Sequence, residues 1–308
     1  MTIAEAYLEF GSREARGNSP AYESLCTAIA ADDELRGLLA TLPPAKQQPN
    51  LLFGVVRLLD GPLAFPAFRD FVVERWDTVS SEIVRRVTQT NEVGRCAALM
   101  PVLASLPQPL FLIDVGTSAG LSLFSDKYAY RYGDTTIGES TVTLDCEAVG
   151  VALPTALPTV AGRAGVDLNP LDITDPSDVA WLEALIWPEQ EHRRERLRAA
   201  IAIARTDPPH LVRGGLEAVP DLVAQAPAGT TPVVYHTSVL YLVSPAERAA
   251  FAETVRALPG HWISVEAPDV LDFGDLPAPP DDSALNVLAL DGKPLAWVRG
   301  HGQAMFGF

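Results

Sequence analysis

The strongest constraint on the fold is an alternation of short apolar segments with helical segments after Pro109. The segments with the composition of buried strands are Leu110–Val115, Ala164–Asp167, Pro232–His236 and Trp262–Glu266. Helical patterns lie between them at Trp181–Ile186, Glu191–Ala204 and Pro245–Leu258. Strands that alternate with helices pair in parallel and are covered by helices on both faces. The sequence therefore predicts an α/β fold with a doubly wound sheet.

The residues before Pro109 predict helices rather than strands. One helical face is shared by Ile3, Ala6, Tyr7 and Phe10. We expect residues 1–108 to form an N-terminal helical region that acts as a lid over the strand ends. Residues 109–308 are expected to form the α/β domain.

Two β hairpins are predicted beside the alternating core. Thr141–Leu144 and Val149–Leu153 predict the first, in a small β insertion near residues 134–160. Ala284–Leu290 and Leu295–Val298 predict the second, because the Asp-Gly pair between them suits a type I′ turn.

The chain is strongly acidic. It carries 39 acidic against 23 basic side chains, which gives a formal net charge of −16. A field of this sign repels the phosphates of nucleic acids and anionic membrane surfaces. We therefore expect no nucleic acid and no membrane as partner. An amine-bearing or zwitterionic small molecule, or a basic surface on a protein partner, suits the charge better.

Neither a metal site nor a targeting segment is predicted. Cys26, Cys96 and Cys146 lie too far apart for zinc-site spacing, and their odd number argues against a disulfide framework. Prolines interrupt the apolar run Cys96–Val115, and glutamates interrupt Met1–Gly11, so neither a membrane span nor a signal peptide is expected. These features predict a cytoplasmic protein.

The sharpest motif follows the first apolar strand. It reads Asp114-Val-Gly-Thr-Ser-Ala-Gly120 and is expected to open a helix that runs to about Tyr130. The glycines would let the backbone turn tightly, approach a ligand and pack against the helix. Ser118 replaces the middle glycine of the dinucleotide fingerprint, so the motif instead fits an acid-x-Gly-x-x-x-Gly turn that holds the amino acid end of S-adenosylmethionine. We favour cofactor binding by Asp114, Gly116, Ser118 and Gly120 over a tight turn without a ligand.

Several motifs together resemble a known family. They are the turn Asp114–Ser122, Gln89–Arg95 before it, and Val166–Asp172, Trp187-Pro188 and His236-Thr237 after it. On these motifs the chain resembles the uncharacterised bacterial domain-of-unknown-function family number 2332, whose sheet is similar to the class I S-adenosylmethionine methyltransferase fold. The resemblance covers nearly the whole chain. It implies a Rossmann-like sheet and a pocket, without an established activity.

The chain departs from that family's pattern at two places. Ser122 stands where the pattern favours asparagine, and Gly214-Gly215 stands where it favours a Gly-Asp pair. In a methyltransferase such an acid typically contacts the adenine side of the cofactor, so its loss weakens the case for the cofactor. Asp167, which ends the second core strand, remains a candidate acceptor for ribose hydroxyls. The alternative for Asp167 is a loop acid that caps the residues after it.

The polar run Gln89–Arg95 is a candidate substrate-binding segment. With the resemblance, we expect Gln89 and Asn91 to contact substrate, Glu92 to meet a cationic group and Arg95 to bind a carboxylate. The alternative is a helix N-terminus, in which Thr90 or Asn91 caps and Glu92 opposes the positive end of the helix dipole.

Two strand ends supply further candidates for catalysis. His236 ends the third core strand, and the ordinary pKa of histidine, about 6.5, suits a general base. Glu266 ends the next strand as a candidate partner carboxylate, and Thr237 is a candidate substrate contact. The alternatives are a structural, hydrogen-bonding histidine and a solvated acid. Together with Glu92, His236 and Glu266 are the candidate catalytic bases.

Three functions remain open from the sequence. The first is a small-molecule-modifying enzyme on a methyltransferase-like fold that uses S-adenosylmethionine for methyl transfer. The second keeps the pocket for a cofactor-independent biosynthetic reaction, such as an intramolecular amine displacement (a cyclisation), in which an acidic pocket deprotonates the amine. The third is a noncatalytic acidic scaffold protein that recruits a basic partner.

Overall fold

The computed structural model describes residues 1–308, which divide into two compact units. The first unit comprises Met1–Thr90 and Thr174–Glu195, and the second comprises Asn91–Ile173 and Arg196–Phe308. Residues 91–108, although helical in pattern, therefore belong to the second unit. The proposed lid function of the N-terminal helices stays a prediction.

Eleven α-helices lie along the chain. They are α1 (Ile3–Phe10), α2 (Pro20–Ala31), α3 (Asp33–Ala40), α4 (Pro49–Leu58), α5 (Ala67–Glu74), α6 (Trp76–Arg85), α7 (Cys96–Ser105), α8 (Pro176–Leu185), α9 (Glu191–Ala204), α10 (Val219–Ala224) and α11 (Pro245–Ala257). The predicted helical character of the first 108 residues is confirmed by α1–α7. The later helical predictions are confirmed by α8, α9 and α11.

The first unit is helical and packs around aromatic side chains. Thr2 begins α1 with a capping box, and the side chain of Asp32 accepts a hydrogen bond from the third residue of α3. Phe53 in α4 is fully buried, and its ring lies 4.4 Å from that of Tyr22 and 6.0 Å from that of Phe68, centroid to centroid. Capping fixes where these helices begin, and apolar burial holds them together.

The second unit contains a nine-stranded mixed sheet and a separate three-stranded sheet. The strands are β1 (Leu110–Val115), β2 (Ala129–Tyr132), β3 (Thr135–Ile137), β4 (Thr143–Asp145), β5 (Glu147–Val149), β6 (Val160–Asp167), β7 (His210–Arg213), β8 (Thr231–Thr237), β9 (His261–Glu266), β10 (Leu285–Leu290), β11 (Lys293–Arg299) and β12 (Ala304–Gly307). The large sheet has the order β5-β12-β11-β10-β9-β8-β1-β6-β7, and the small sheet has the order β3-β2-β4.

Five neighbouring strands of the large sheet are parallel. In the block β7-β6-β1-β8-β9 every adjacent pair is parallel, whereas β10, β11 and β12 continue the sheet in antiparallel pairs. The chain leaves β1 toward β6 on one side and later returns to β8 on the other. Open α/β sheets bind ligands outside the carboxyl ends of their strands at such a switch point. The predicted α/β class and all four predicted core strands are confirmed.

Two local predictions are wrong. Glycine 120 is followed by a short 3₁₀ turn, Leu121–Phe124, and then by β2, not by a helix that runs to Tyr130. Thr141–Leu144 and Val149–Leu153 form no hairpin, because β4 pairs with β2 while β5 pairs with β12. Only Cys146 separates β4 from β5, so the chain passes from the small sheet to the edge of the large one. The predicted closing hairpin is confirmed by β10 and β11.

Candidate functional site

The turn after β1 is tightly wound. Gly116, Ser118 and Gly120 have φ angles of 74°, 52° and 73°, so alternate residues occupy the left-handed region. Glycine enters this region without steric cost, whereas serine enters it at a cost that its surroundings must offset. Hydrogen bonds to the turn supply that offset.

All backbone amides of residues 116–120 donate to acceptors within the chain. Gly116 and Thr117 donate to the carbonyl of Val166 at 2.8 and 3.2 Å, and Gly120 donates to that of Thr117 at 2.8 Å. The other two amides meet side chains. Ser118 N donates to Asp167 Oδ2 at 2.8 Å, and Ala119 N donates to Asn91 Oδ1 at 3.0 Å. An anionic ligand group would therefore have to displace one of the chain's own acceptors.

The turn glycines are needed for internal packing. A Cβ atom at Gly116 would lie 2.5 Å from Cγ2 of Val239, and one at Gly120 would lie 2.8 Å from Pro209. The turn thus fits its neighbours only without side chains at these positions. The 3₁₀ segment that follows is too short to present the open helix end that the motif predicted.

Asp114 lies at the switch point, at the end of β1. Its carboxyl group is buried, and Oδ2 accepts a hydrogen bond from the hydroxyl of Ser122. Burial raises the pKa of Asp114 to about 7, and the nearby carboxylate of Asp167 raises it as well; the Ser122 hydrogen bond and the charge of Arg95 act in the opposite direction. Asp114 is paired in register with Tyr235 of β8, so both side chains project from the same face of the sheet.

The side chains of the segment Asn91–Arg95 form hydrogen bonds with the turn after β1 and with the end of β8. At one end, Asn91 Nδ2 donates to Ser118 Oγ at 2.6 Å. At the other, Arg95 Nη1 donates to the carbonyl and the hydroxyl of Thr237 at 2.9 and 3.2 Å. Three residues that the sequence assigned to substrate binding, Asn91, Arg95 and Thr237, thus lie along one edge of the sheet. Their contact with a substrate stays a prediction.

Glu92 lies within this segment and is almost completely buried. Its Oε1 accepts hydrogen bonds from Gly94 N at 2.9 Å and from Arg196 Nη2 at 2.7 Å, and its Oε2 lies 4.0 Å from His301 Nδ1. Glu92 itself therefore caps a 3₁₀ turn, whereas the sequence predicted a cap at Thr90 or Asn91 and placed Glu92 against the dipole of a helix. Arg196 and His301 were not predicted as site residues, because no local motif connects either of them with Glu92.

His236 and Glu266 meet in the core. His236 Nδ1 and Glu266 Oε1 are 2.7 Å apart, and Trp262 Nε1 donates to His236 Nε2 at 3.0 Å. Because an indole can only donate, Nε2 is the acceptor and Nδ1 carries the proton. Both ring nitrogens are engaged and the imidazole is fully buried, which favours the structural histidine over the general base. Burial acts to raise the pKa of Glu266, but hydrogen bonds from His236 and two backbone amides hold it below its usual value.

The second unit brings most of the predicted site residues to one edge of the sheet. They are Asn91, Glu92, Arg95, Asp114, Gly116, Ser118, Gly120, Asp167 and Thr237. Gln89 belongs to the first unit. The structure contains no group of three or more His, Cys, Asp or Glu side chains that could hold a metal ion. None of its helices combines the length and the apolar character that a membrane span requires.

S-adenosylmethionine does not fit this turn as the motif predicted. The turn amides that would receive its carboxylate already donate within the chain, and Val239 lies against Gly116.

The fold and the site define an α/β protein whose polar residues converge at the switch point of a parallel block of strands. The chain belongs to the family described as "Uncharacterized protein conserved in bacteria (DUF2332)", which matches residues 4–305. Among curated proteins, none matches this chain. The resemblance stated from the sequence motifs is thus confirmed at the level of the family.

Proposed function

We propose that this protein is a small-molecule-modifying enzyme that acts on an amine-bearing or zwitterionic substrate without a cofactor. The proposal depends on one observation: Asp114 carries a buried carboxyl group at the strand switch point, and its pKa is raised to about 7. A carboxyl group with this pKa exists in both protonation states at neutral pH, so it can both accept and release a proton during turnover.

The surrounding charges suit such a substrate. The carboxylates of Asp114 and Asp167 attract an ammonium group on the β1 and β6 side. Arg95, bound at the end of β8 through the carbonyl and hydroxyl of Thr237, places positive charge on the other side, where a substrate carboxylate would be favoured. The arrangement therefore favours a molecule that carries both charges.

An amine displacement is one reaction that these groups support. Asp114 as a carboxylate would take a proton from the substrate's ammonium group. The free amine would then form a bond to a carbon of the same molecule while the bond from that carbon to its leaving group breaks. The leaving group departs with the bonding electrons, and a ring is formed. Positioning and proton transfer would supply the rate enhancement.

Methyl transfer from S-adenosylmethionine is the second candidate. It is favoured by the parallel block, whose order is third, second, first, fourth and fifth in the chain. This order resembles that of Rossmann-like sheets, which methyltransferases of class I share. The turn amides already donate hydrogen bonds to Asp167 and Asn91, which argues against methyl transfer from S-adenosylmethionine. A noncatalytic scaffold is favoured by no specific contact.

Ligand binding distinguishes these functions. We would measure thermal shifts and calorimetric affinities for a panel of amino acids, diamines, S-adenosylmethionine and its demethylated product. We expect an amine-bearing ligand to stabilise the protein, and Asp114→Asn to weaken that ligand at least about tenfold, the loss of one charged contact. Equal binding by Asp114→Asn, or no binding across the panel, would contradict the proposal. Binding of both S-adenosylmethionine and its demethylated product, with methylated products by mass spectrometry, would establish the second candidate.

A further inference from the structure

Val239 covers one face of the turn glycine. Its Cγ2 and Cγ1 would lie 2.5 and 3.1 Å from a Cβ at Gly116, although Gly116 itself is exposed to solvent. In doubly wound sheets the absence of a side chain at this turn lets a ligand approach the backbone. Here the side chain of Val239 occupies the space on the Cβ side of Gly116.

Buried hydrogen bonds hold Val239 in place. Glu266 Oε1 accepts hydrogen bonds from the backbone amides of Val239 at 2.8 Å and Leu240 at 3.0 Å. The preceding residue, Ser238, has a φ of 55°, and its hydroxyl accepts a hydrogen bond from Asn286 Nδ2 at 3.0 Å. A strained residue persists only where its surroundings fix it. The loop therefore has one preferred conformation.

The hydrogen bonds continue into the core. Glu266 is oriented by His236, and His236 is oriented by Trp262. All three side chains are at most 2% exposed. Because the indole fixes the tautomer of the imidazole, and the imidazole N–H binds the carboxylate, the acceptor for the loop amides has a defined position.

We infer that Val239 is a specificity-determining residue, which keeps the amino acid end of S-adenosylmethionine-like ligands off the Gly116 turn, with Glu266 and His236 as its positioning residues. The inference goes beyond the proposed function, which depends on Asp114. Either can fail without the other.

A gain of binding tests the inference. A ligand must displace an acceptor of the turn amides in either protein, but Val239→Ala also removes both γ-methyl groups from beside the turn. We therefore expect calorimetry to show a Kd for S-adenosylmethionine at least tenfold lower in Val239→Ala than in the unmutated protein. Val234→Ala is the matched control, because it makes the same change in the buried interior of β8. We expect its Kd to equal that of the unmutated protein. An unchanged Kd in Val239→Ala, or an equal gain in Val234→Ala, would overturn the inference.

A second variant tests the positioning residues. Glu266→Gln keeps the shape of the side chain but replaces the charged oxygen that accepts from His236 and both amides by a neutral carbonyl oxygen, which binds them more weakly. We expect ¹⁵N NMR to show a changed tautomer or exchange at His236, together with shifted amide signals of Val239 and Leu240. If the folded variant keeps all three signals, the positioning role is wrong.

Discussion

Asp167 Oδ2 accepts a hydrogen bond from the backbone amide of Ser118 at 2.8 Å, so the carboxylate at the end of β6 closes the turn after β1. Its other oxygen accepts from the amide of Asn169 at 2.7 Å. From its place at the end of the strand, Asp167 is predicted to accept hydrogen bonds from ribose hydroxyls. That role stays a prediction, but the structure shows that the carboxylate already satisfies two amides.

Removal of this carboxylate should destabilise the turn. Asp167→Ala leaves the Ser118 amide without its acceptor, so we expect a loss of about 1–3 kcal/mol in the free energy of unfolding in urea. Asp167→Asn keeps one carbonyl acceptor and should lose less. A free energy of Asp167→Ala within about 0.5 kcal/mol of the unmutated protein, the range of ordinary surface changes, would show that the contact contributes nothing.

A side chain at Gly116 should cost more than backbone strain alone. Gly116→Ala forces a left-handed alanine, at about 1–2 kcal/mol, and also places its Cβ against Val239. Gly133 is a matched control, because its φ is 58° and no atom lies within 4 Å of its Cβ position. We expect Gly116→Ala to melt at a lower temperature than Gly133→Ala. Adding Val239→Ala to Gly116→Ala should recover part of the lost melting temperature. Equal melting temperatures of Gly116→Ala and Gly133→Ala would contradict the packing of Val239 against Gly116.

The partners of Glu92 make it a structural residue. In Glu92→Gln the guanidinium of Arg196 loses its buried carboxylate partner, so we expect a loss of about 1.5–3 kcal/mol in denaturant unfolding, the range for charged hydrogen bonds. Glu23→Gln is the control, because Glu23 pairs with Arg16 at the surface, where such pairs contribute about 0–1 kcal/mol. Similar losses in the two variants would place Glu92 in a solvated setting.

The sequence predicted four of the five strands of the parallel block, β1, β6, β8 and β9, because the segments that it marked as strands are mostly buried. All six residues of β1 are buried, and such a strand reads as a continuous apolar run. The edge strand β7 has no buried residue and carried no comparable signal. The helix expected after the turn was wrong because Tyr128, Tyr130 and Tyr132 alternate with the period of a strand. That period was visible in the sequence.

The site could be predicted only in its local part. Asp114 and the glycines stand in one motif, whereas the acceptors for the turn amides come from Asn91 and Asp167, 28 and 49 residues away from their donors. Arg196 lies 104 residues from Glu92, and no spacing rule connects the two. Contacts of this kind depend on the sheet topology and on the conformation of the loops. The sequence indicates the topology but does not determine the loop conformations.

The raised pKa of Asp114 should appear in the pH dependence of stability. The folded state favours the protonated carboxyl, so its stabilising contribution is complete below the unfolded pKa of about 3.9 and is lost as the pH rises through about 7. Asp114→Asn lacks this titration. We expect the difference in unfolding free energy between the two proteins to change by up to about 4 kcal/mol between pH 4 and 7, at about 1.4 kcal/mol per pKa unit. A difference that is flat with pH would contradict the burial of a titrating group.

The carboxyl titration of Asp114 tests most directly whether this residue is the proton-transferring group at the switch point. Carbon-13 NMR of the Asp114 carboxyl carbon, assigned with Asp114→Asn, should show a midpoint at about pH 7. Ser122→Ala should move that midpoint upward, because it removes a hydrogen bond that stabilises the charged form. A midpoint near 4, the value of an ordinary aspartate, with no response to Ser122→Ala, would contradict the account.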